Sequence, residues 1–235
     1  MIAQRPAHIF KADTRGIEFS DHYCCLSTFT YHESKVENGA PFGSLTVFED
    51  ETLSPGKQKS YHLEEDSLII LIPLVGILEV GEPHGNGRQL LIPEQLKVMA
   101  LKNGQSFHLC NPHEKNLANY LQIRLKADGK PLKKSFGEYH NNELFPLLKM
   151  KGYRLYFGVF DGRKEATYKL KNLANGVFSF VINGTFELEN RLLENRDGLS
   201  LWNSDTIEME ALSENAMLLL LEVPLKENNT TYAQK

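Results

Sequence analysis

Leu68-Ile69-Ile70-Leu71-Ile72-Pro73-Leu74-Val75-Gly76-Ile77-Leu78-Glu79-Val80 is an apolar run that reaches a glycine and then resumes with polar and apolar residues in alternation. A second stretch repeats the pattern: Gly176-Val177-Phe178-Ser179-Phe180-Val181-Ile182-Asn183-Gly184-Thr185-Phe186-Glu187-Leu188. Runs this short, rich in branched and aromatic residues and bounded by glycine, read as buried strands rather than helices. The glycine lets the chain bend sharply where a Cβ would clash. Outward from these two stretches lie further β-rich runs at residues 26–31, 43–48, 122–125, 154–160 and 218–223. Turn chemistry separates them: Ser54-Pro55-Gly56, Gly85-Asn86-Gly87, Asp128-Gly129 and Asn183-Gly184. Strands so spaced and punctuated predict an all-β chain built as a sandwich or barrel, with few short helices.

The chain has 235 residues, enough for two compact domains, with 41% hydrophobic and 24% charged residues. Residues 126–142 turn polar and basic, with Lys130, Lys133 and Lys134 beside Gly129 and Pro131. They read as a connection between domains at 1–135 and 136–235, followed by a short helix over 142–149. The tail, 226–235, is polar and without periodicity. A net charge of -4 argues against binding to nucleic acid or anionic lipid through overall charge. The opening Met1-Ile2-Ala3-Gln4-Arg5-Pro6 lacks the apolar stretch of a secretory signal, and the runs at 68–74 and 217–221 are too short to span a bilayer. Adjacent Cys24 and Cys25 would make a strained disulfide, so these and Cys110 read as free thiols of a reducing compartment. The expectation is a cytoplasmic protein.

One further series of residues adds a resemblance. Phe42-Gly43-Ser44-Leu45-Thr46-Val47-Phe48-Glu49-Asp50-Glu51-Thr52-Leu53-Ser54-Pro55-Gly56 is preceded by Ser27-Thr28-Phe29-Thr30-Tyr31. His62, Gly76, Gly85-Asn86, Met99, Gly104, Asn111-Pro112 and Gln122-Ile123 follow, and the second half ends in Glu222-Val223-Pro224-Leu225. In that order they resemble the pirin-related bicupins, including their quercetin dioxygenase-like members. The resemblance implies two tandem cupin, or jelly-roll-like, β-barrels.

It also implies a metal in the first barrel, held by His-x-His on one strand and His-x-Glu on another, since residues i and i+2 share a strand face. Here the first pair reads His62-Leu63-Glu64, with Glu64 in place of the second histidine. Counting from Met99 to Asn111-Pro112 puts Phe107 and Leu109 at the second pair. On this register the metal site is lost, no cofactor is expected, and His62, Glu64, Phe107 and Leu109 line a pocket for a small or hydrophobic ligand. A slip of one residue would instead turn His108 and Cys110 inward, giving His62, Glu64, His108 and Cys110 as ligands for iron, nickel, copper or zinc. The chain would then be a metal-dependent dioxygenase of an aromatic, quercetin-like substrate. A role as a protein-binding cofactor in transcription, implied for some relatives, finds no residue that speaks for it.

Other residues read plainly. His84 and His113 belong to loops, Trp202 to the core or an interface, and Glu65 and Asp66 to a solvated strand end. Tyr153, Arg154 and Tyr156 read as structural rather than nucleic-acid-binding. The second half carries no His-x-His and no acidic pair, so it reads as metal-free. A small-molecule ligand, no nucleic acid, no membrane and a chain able to stand as a monomer complete the expectation.

Overall fold

The computed structural model describes residues 5–29, 40–83, 87–127 and 129–225. Readings that fall on Thr30, Tyr31, His84, Gly85-Asn86, Asp128 and 226–235 lie outside these residues. The first strands are β1 (Ala7–Phe10), β2 (Gly16–Ser20), β3 (Tyr23–Ser27), β4 (Leu45–Leu53), β5 (Gln58–His62) and β6 (Ser67–Val75). Next come β7 (Leu78–Gly81), β8 (Arg88–Leu91), β9 (Gln95–Leu101), β10 (Ser106–Cys110), β11 (Ala118–Leu125) and β12 (Leu132–Ser135). The second half holds β13 (Phe145–Met150), β14 (Tyr153–Phe160), β15 (Glu165–Lys169), β16 (Asn175–Asn183) and β17 (Phe186–Leu188). It ends with β18 (Arg191–Leu193), β19 (Gly198–Leu201), β20 (Thr206–Ala211) and β21 (Ala216–Pro224). Among the described residues the helical content is a 3-10 turn at Ala12–Thr14, and no helix is long and apolar enough to cross a membrane.

The strands form two compact units of jelly-roll type. In the first, a sheet ordered β12-β9-β6-β11-β4-β3-β2 faces a smaller one ordered β5-β10-β7-β8. In the second, the orders are β1-β19-β16-β21-β14-β13 and β15-β20-β17-β18. The succession β9-β6-β11-β4-β3 thus recurs as β19-β16-β21-β14-β13, the internal repeat seen in the two opening stretches. At its two glycines the reading is physical. Gly76 (φ 78°) and Gly184 (φ 81°) adopt left-handed backbone, and a Cβ would lie 2.6 Å from the Leu117 carbonyl oxygen or 2.5 Å from the Ser213 hydroxyl.

The units divide at Gly137/Glu138, but residues up to Thr14 and Phe42–Ser44 group with the second. This differs from a simple 1–135 and 136–235 division, because β1 pairs with β19 from Ala7↔Leu201 to Phe10↔Gly198. Phe10 is buried edge-on against Phe178, 5.9 Å between centroids, and the Lys11 ammonium lies 2.5 Å from Asp197. Part of the expected connection is itself a strand, as β12 extends the first sheet by pairing with β9. The helix expected over 142–149 is also corrected. Phe145–Met150 forms strand β13, folded back on β14 through Lys151-Gly152, and Gly152 has φ 83°. Pro146 is tolerated because β13 is the edge of its sheet, where a missing N–H costs least.

Each unit has its own apolar interior. In the first, Leu53, Tyr61, Leu63, Ile69, Met99, Phe107 and Tyr120 are among the packed residues. In the second, Phe160, Tyr168, Val181, Phe186, Leu199 and Leu218 play that part.

Candidate functional site

The first barrel's ligand positions can be read directly from the β5/β10 register. Tyr61 faces Phe107 and Lys59 faces Leu109, while Ser60 faces His108, His62 faces Ser106 and Gln58 faces Cys110. Tyr61, Phe107 and Leu109 are buried, and His62 and His108 are exposed. The two i, i+2 pairs that converge inside the barrel are therefore Lys59/Tyr61 and Phe107/Leu109. The Tyr61 and Phe107 rings stack 4.6 Å apart at 9°.

Phe107 and Leu109 thus face inward, whereas His108 and Cys110 point away, so residues 106–110 show no slip. His62 lies outside, its Nδ1 3.1 Å from the Ser106 hydroxyl, and His108 Nδ1 is 2.8 Å from the Ser60 hydroxyl. Glu64 follows β5 in an exposed turn. The reason is the pleat: burying Tyr61 and Leu63 on one face forces His62 and Glu64 onto the other. His62 and Glu64 are among the residues lining a cavity, whereas Phe107 and Leu109 lie in the packed interior. Cys110 is half-buried, its thiol raised by burial and by Glu79.

Sequence reasoning missed the polar cluster that stands where a site is expected. Glu49 and Glu51 on β4, i and i+2, point to the interior. Cys25 on β3 is opposite Glu51, and Gln122 on β11 is opposite Glu49. Gln122 Nε2 donates to both carboxylates, at 2.7 Å to Glu49 and 3.0 Å to Glu51. The Tyr61 hydroxyl donates to Glu51 at 2.6 Å, and the Tyr120 hydroxyl lies 3.3 Å from the same oxygen. The Lys59 ammonium is 3.4 Å from Glu51 and 3.6 Å from the centroid of the Tyr23 ring, a cation–π contact. Burial, followed by the Glu49 charge, pushes the Glu51 carboxyl up to about 7, against the opposing effects of Lys59 and Tyr61. Burial also raises the Cys25 thiol and the Tyr61 and Tyr120 phenols.

A cavity of about 1000 Å³ opens beside this cluster, with Phe29, Val47, Glu49, Lys59, Tyr61 and Arg124 on its walls. The Arg124 guanidinium carbon is 5.7 Å from the Tyr61 centroid, and its buried Nε has no hydrogen-bond partner. The second barrel uses its buried carboxylate differently. Glu222 accepts from the Tyr168 hydroxyl, from Asn175 Nδ2 at 2.8 Å and from the backbone N–H groups of Lys171 and Asn172 at 3.1 Å. Tyr168 occupies the same place in β15 as Tyr61 in β5, but this network is closed on itself.

The fold is that of a bicupin. Residues 151–223 match the quercetinase C-terminal cupin domain. YhhW from Escherichia coli is similar in structure, with a TM-score of 0.79 at 17% identity, covering 94% of this chain and 99% of that one. The bacterial pirin YhhW from Escherichia coli in complex with nickel(II) gives 0.80 at 17% identity, with 94% and 100% covered. A quercetin 2,3-dioxygenase from Acinetobacter baumannii gives 0.72 at 11% identity, with 92% and 85% covered. The chain therefore shares the cupin fold of these proteins. No curated protein matches the sequence.

The metal arrangement implied by the resemblance does not fit the β5/β10 positions. An amine, a phenol, a phenyl ring and an isobutyl group offer no imidazole or carboxylate, and the Tyr61–Phe107 stack fills the space between the strands.

Proposed function

We propose that the first barrel binds a small aromatic ligand in the cavity beside Tyr61, and that the metal of the pirin-like fold has been lost from β5 and β10. The observation that carries this reading is the Tyr61–Phe107 stack, which occupies the point where two pairs of ligands would converge. The cavity suits such a ligand because it combines apolar walls at Phe29 and Val47 with polar groups at Glu49, Lys59 and Arg124. Binding sites of this size typically mix apolar lining with a few placed polar groups. Glu49 can accept from a hydroxyl substituent, while Lys59 and Arg124 can donate to a carbonyl or phenolate oxygen.

A second reading, oxygenation of a quercetin-like substrate, is favoured by the quercetinase domain match. It requires a metal with open positions, usually held by about three protein ligands, and β5 and β10 supply none.

Quercetin and 1-anilinonaphthalene-8-sulfonate serve as probes for both. Chelator-treated protein is expected to bind each probe once per chain, and protein supplied with iron or nickel to take up no oxygen with quercetin. Val47→Trp, which fills the cavity from β4, is expected to weaken both by about tenfold or more, the equivalent of about 1.4 kcal/mol. Equal affinity in the variant, or no binding by the wild type, overturns the pocket reading. Oxygen uptake with quercetin by protein supplied with iron or nickel, lost on chelation, overturns the rejection of the second reading.

A further inference from the structure

We propose that the ligand of the first barrel is an aromatic carboxylate with a hydroxyl group at the far end of its ring, the carboxylate held by Arg124 and the hydroxyl by Glu49. This assignment rests on the aromatic-ligand reading of the cavity and gives that ligand its charge and its length. Arg124 lies on β11 two residues beyond Gln122, hence on the same strand face, and lines the cavity. Its guanidinium carbon is 5.7 Å from the Tyr61 centroid. Its Nε is closed to water and has no partner, and among the described residues no nitrogen of the head group makes a hydrogen bond or an ion pair.

The other charged groups of the wall are already engaged or stand in solvent. Lys59 lies 3.4 Å from Glu51 and 4.0 Å from Glu18, and Glu65 pairs with Lys126. Glu49 accepts from the Gln122 amide at 2.7 Å, and Glu64 is exposed in its turn. Of the lysine and arginine side chains on the wall, Arg124 alone lacks a counter-charge among the described residues. A planar guanidinium so placed suits a carboxylate, whose two oxygens match its donor fork.

Strand register sets the length of the ligand. Arg124 is opposite Val47 on β4, and Gln122 is opposite Glu49. Val47 and Glu49 are two residues apart on one face, so Glu49 stands about 7 Å along the sheet from the level of Arg124. A benzene ring with a carboxylate and a para hydroxyl spans about that distance, and Val47 and Phe29 supply apolar surface for the ring. The Glu49 carboxylate keeps lone pairs for a ligand hydroxyl beyond the one that Gln122 takes. A neutral ring leaves the Arg124 charge unbalanced, and a second carboxylate in place of the hydroxyl meets Glu49 with like charge.

Isothermal titration calorimetry of the full-length, chelator-treated protein tests this with 4-hydroxybenzoate, its neutral isostere 4-hydroxybenzamide, and terephthalate. Wild type is expected to bind 4-hydroxybenzoate once per chain, about tenfold or more tighter than either of the others. That comparison needs no variant. In Arg124→Gln the preference for the acid over the amide should fall to about twofold or less, and Arg124→Lys should restore part of it. Equal affinity for acid and amide in wild type, an unchanged preference in Arg124→Gln, or terephthalate bound as tightly as 4-hydroxybenzoate overturns the assignment. Quercetin titrated alongside separates the two readings. If quercetin binds and the acid is not preferred, the assignment alone fails; if neither quercetin nor 4-hydroxybenzoate binds, the pocket fails with it.

Discussion

Glu51 is closed to water, yet two phenols and an amide surround its carboxyl group and an ammonium stands 3.4 Å away. Burial and the Glu49 charge lift its pKa from the ordinary carboxyl value of 4.5 to about 7. Between those values the folded chain holds the proton more tightly than the unfolded chain does. Its contribution to stability is complete below the lower value and is lost as pH rises through the upper one. The window spans about 3 kcal/mol, at about 1.36 kcal/mol per unit. In chelator, Glu51→Gln cannot titrate, so its stability relative to wild type should rise by that order between about pH 4.5 and about pH 8. Urea unfolding at several pH values measures the difference, and a flat difference contradicts the burial of Glu51 as described. Little of this was legible in Phe48-Glu49-Asp50-Glu51, because both strand faces carry acids. Asp50 turns to the opposite face, where it lies 3.6 Å from the buried Arg15 guanidinium.

β5 and β10 meet through one aromatic stack, and the two faces of that strand pair should respond differently to mutation. Phe107→Ala removes a fully buried ring and should cost about 3–5 kcal/mol. His62→Ala removes an exposed imidazole bonded to Ser106 and should change stability by no more than about 0.5 kcal/mol. Denaturant unfolding of both variants checks the register: comparable losses would mean that His62, not Tyr61, faces the interior. The alternation of Tyr61 and Leu63 already carried this answer. The resemblance placed His62 as first ligand and so favoured the opposite face, a difference of one residue that inverts a strand. For β10 the count from Met99 put Phe107 and Leu109 inward, where the strand has them. The strand β13 was hidden for another reason. Glu-Leu-Phe-Pro-Leu-Leu-Lys over 143–149 has a helix-like apolar spacing, and only the turn at Gly152 and an edge position for Pro146 make it a strand.

Across the whole molecule, one strand plan is used twice and put to two uses. The repeat was legible because glycine at 76 and 184 marks the same bend in both halves. The place of β1 was not, since a four-residue strand with one buried residue, Phe10, names no partner. In the second unit, Glu222, Tyr168 and Asn175 satisfy one another in a closed interior. In the first, the corresponding end of the barrel keeps a cavity with charged and aromatic walls. Methyl nuclear magnetic resonance of the full chain, titrated with quercetin in the presence of chelator, tests that division most directly. The account predicts shifts for the cavity methyl groups of Ile17, Val47 and Leu63, and none for Val181, Leu199 and Leu218 in the second core. Shifts centred on the second core, or none around the cavity at saturating quercetin, would contradict it.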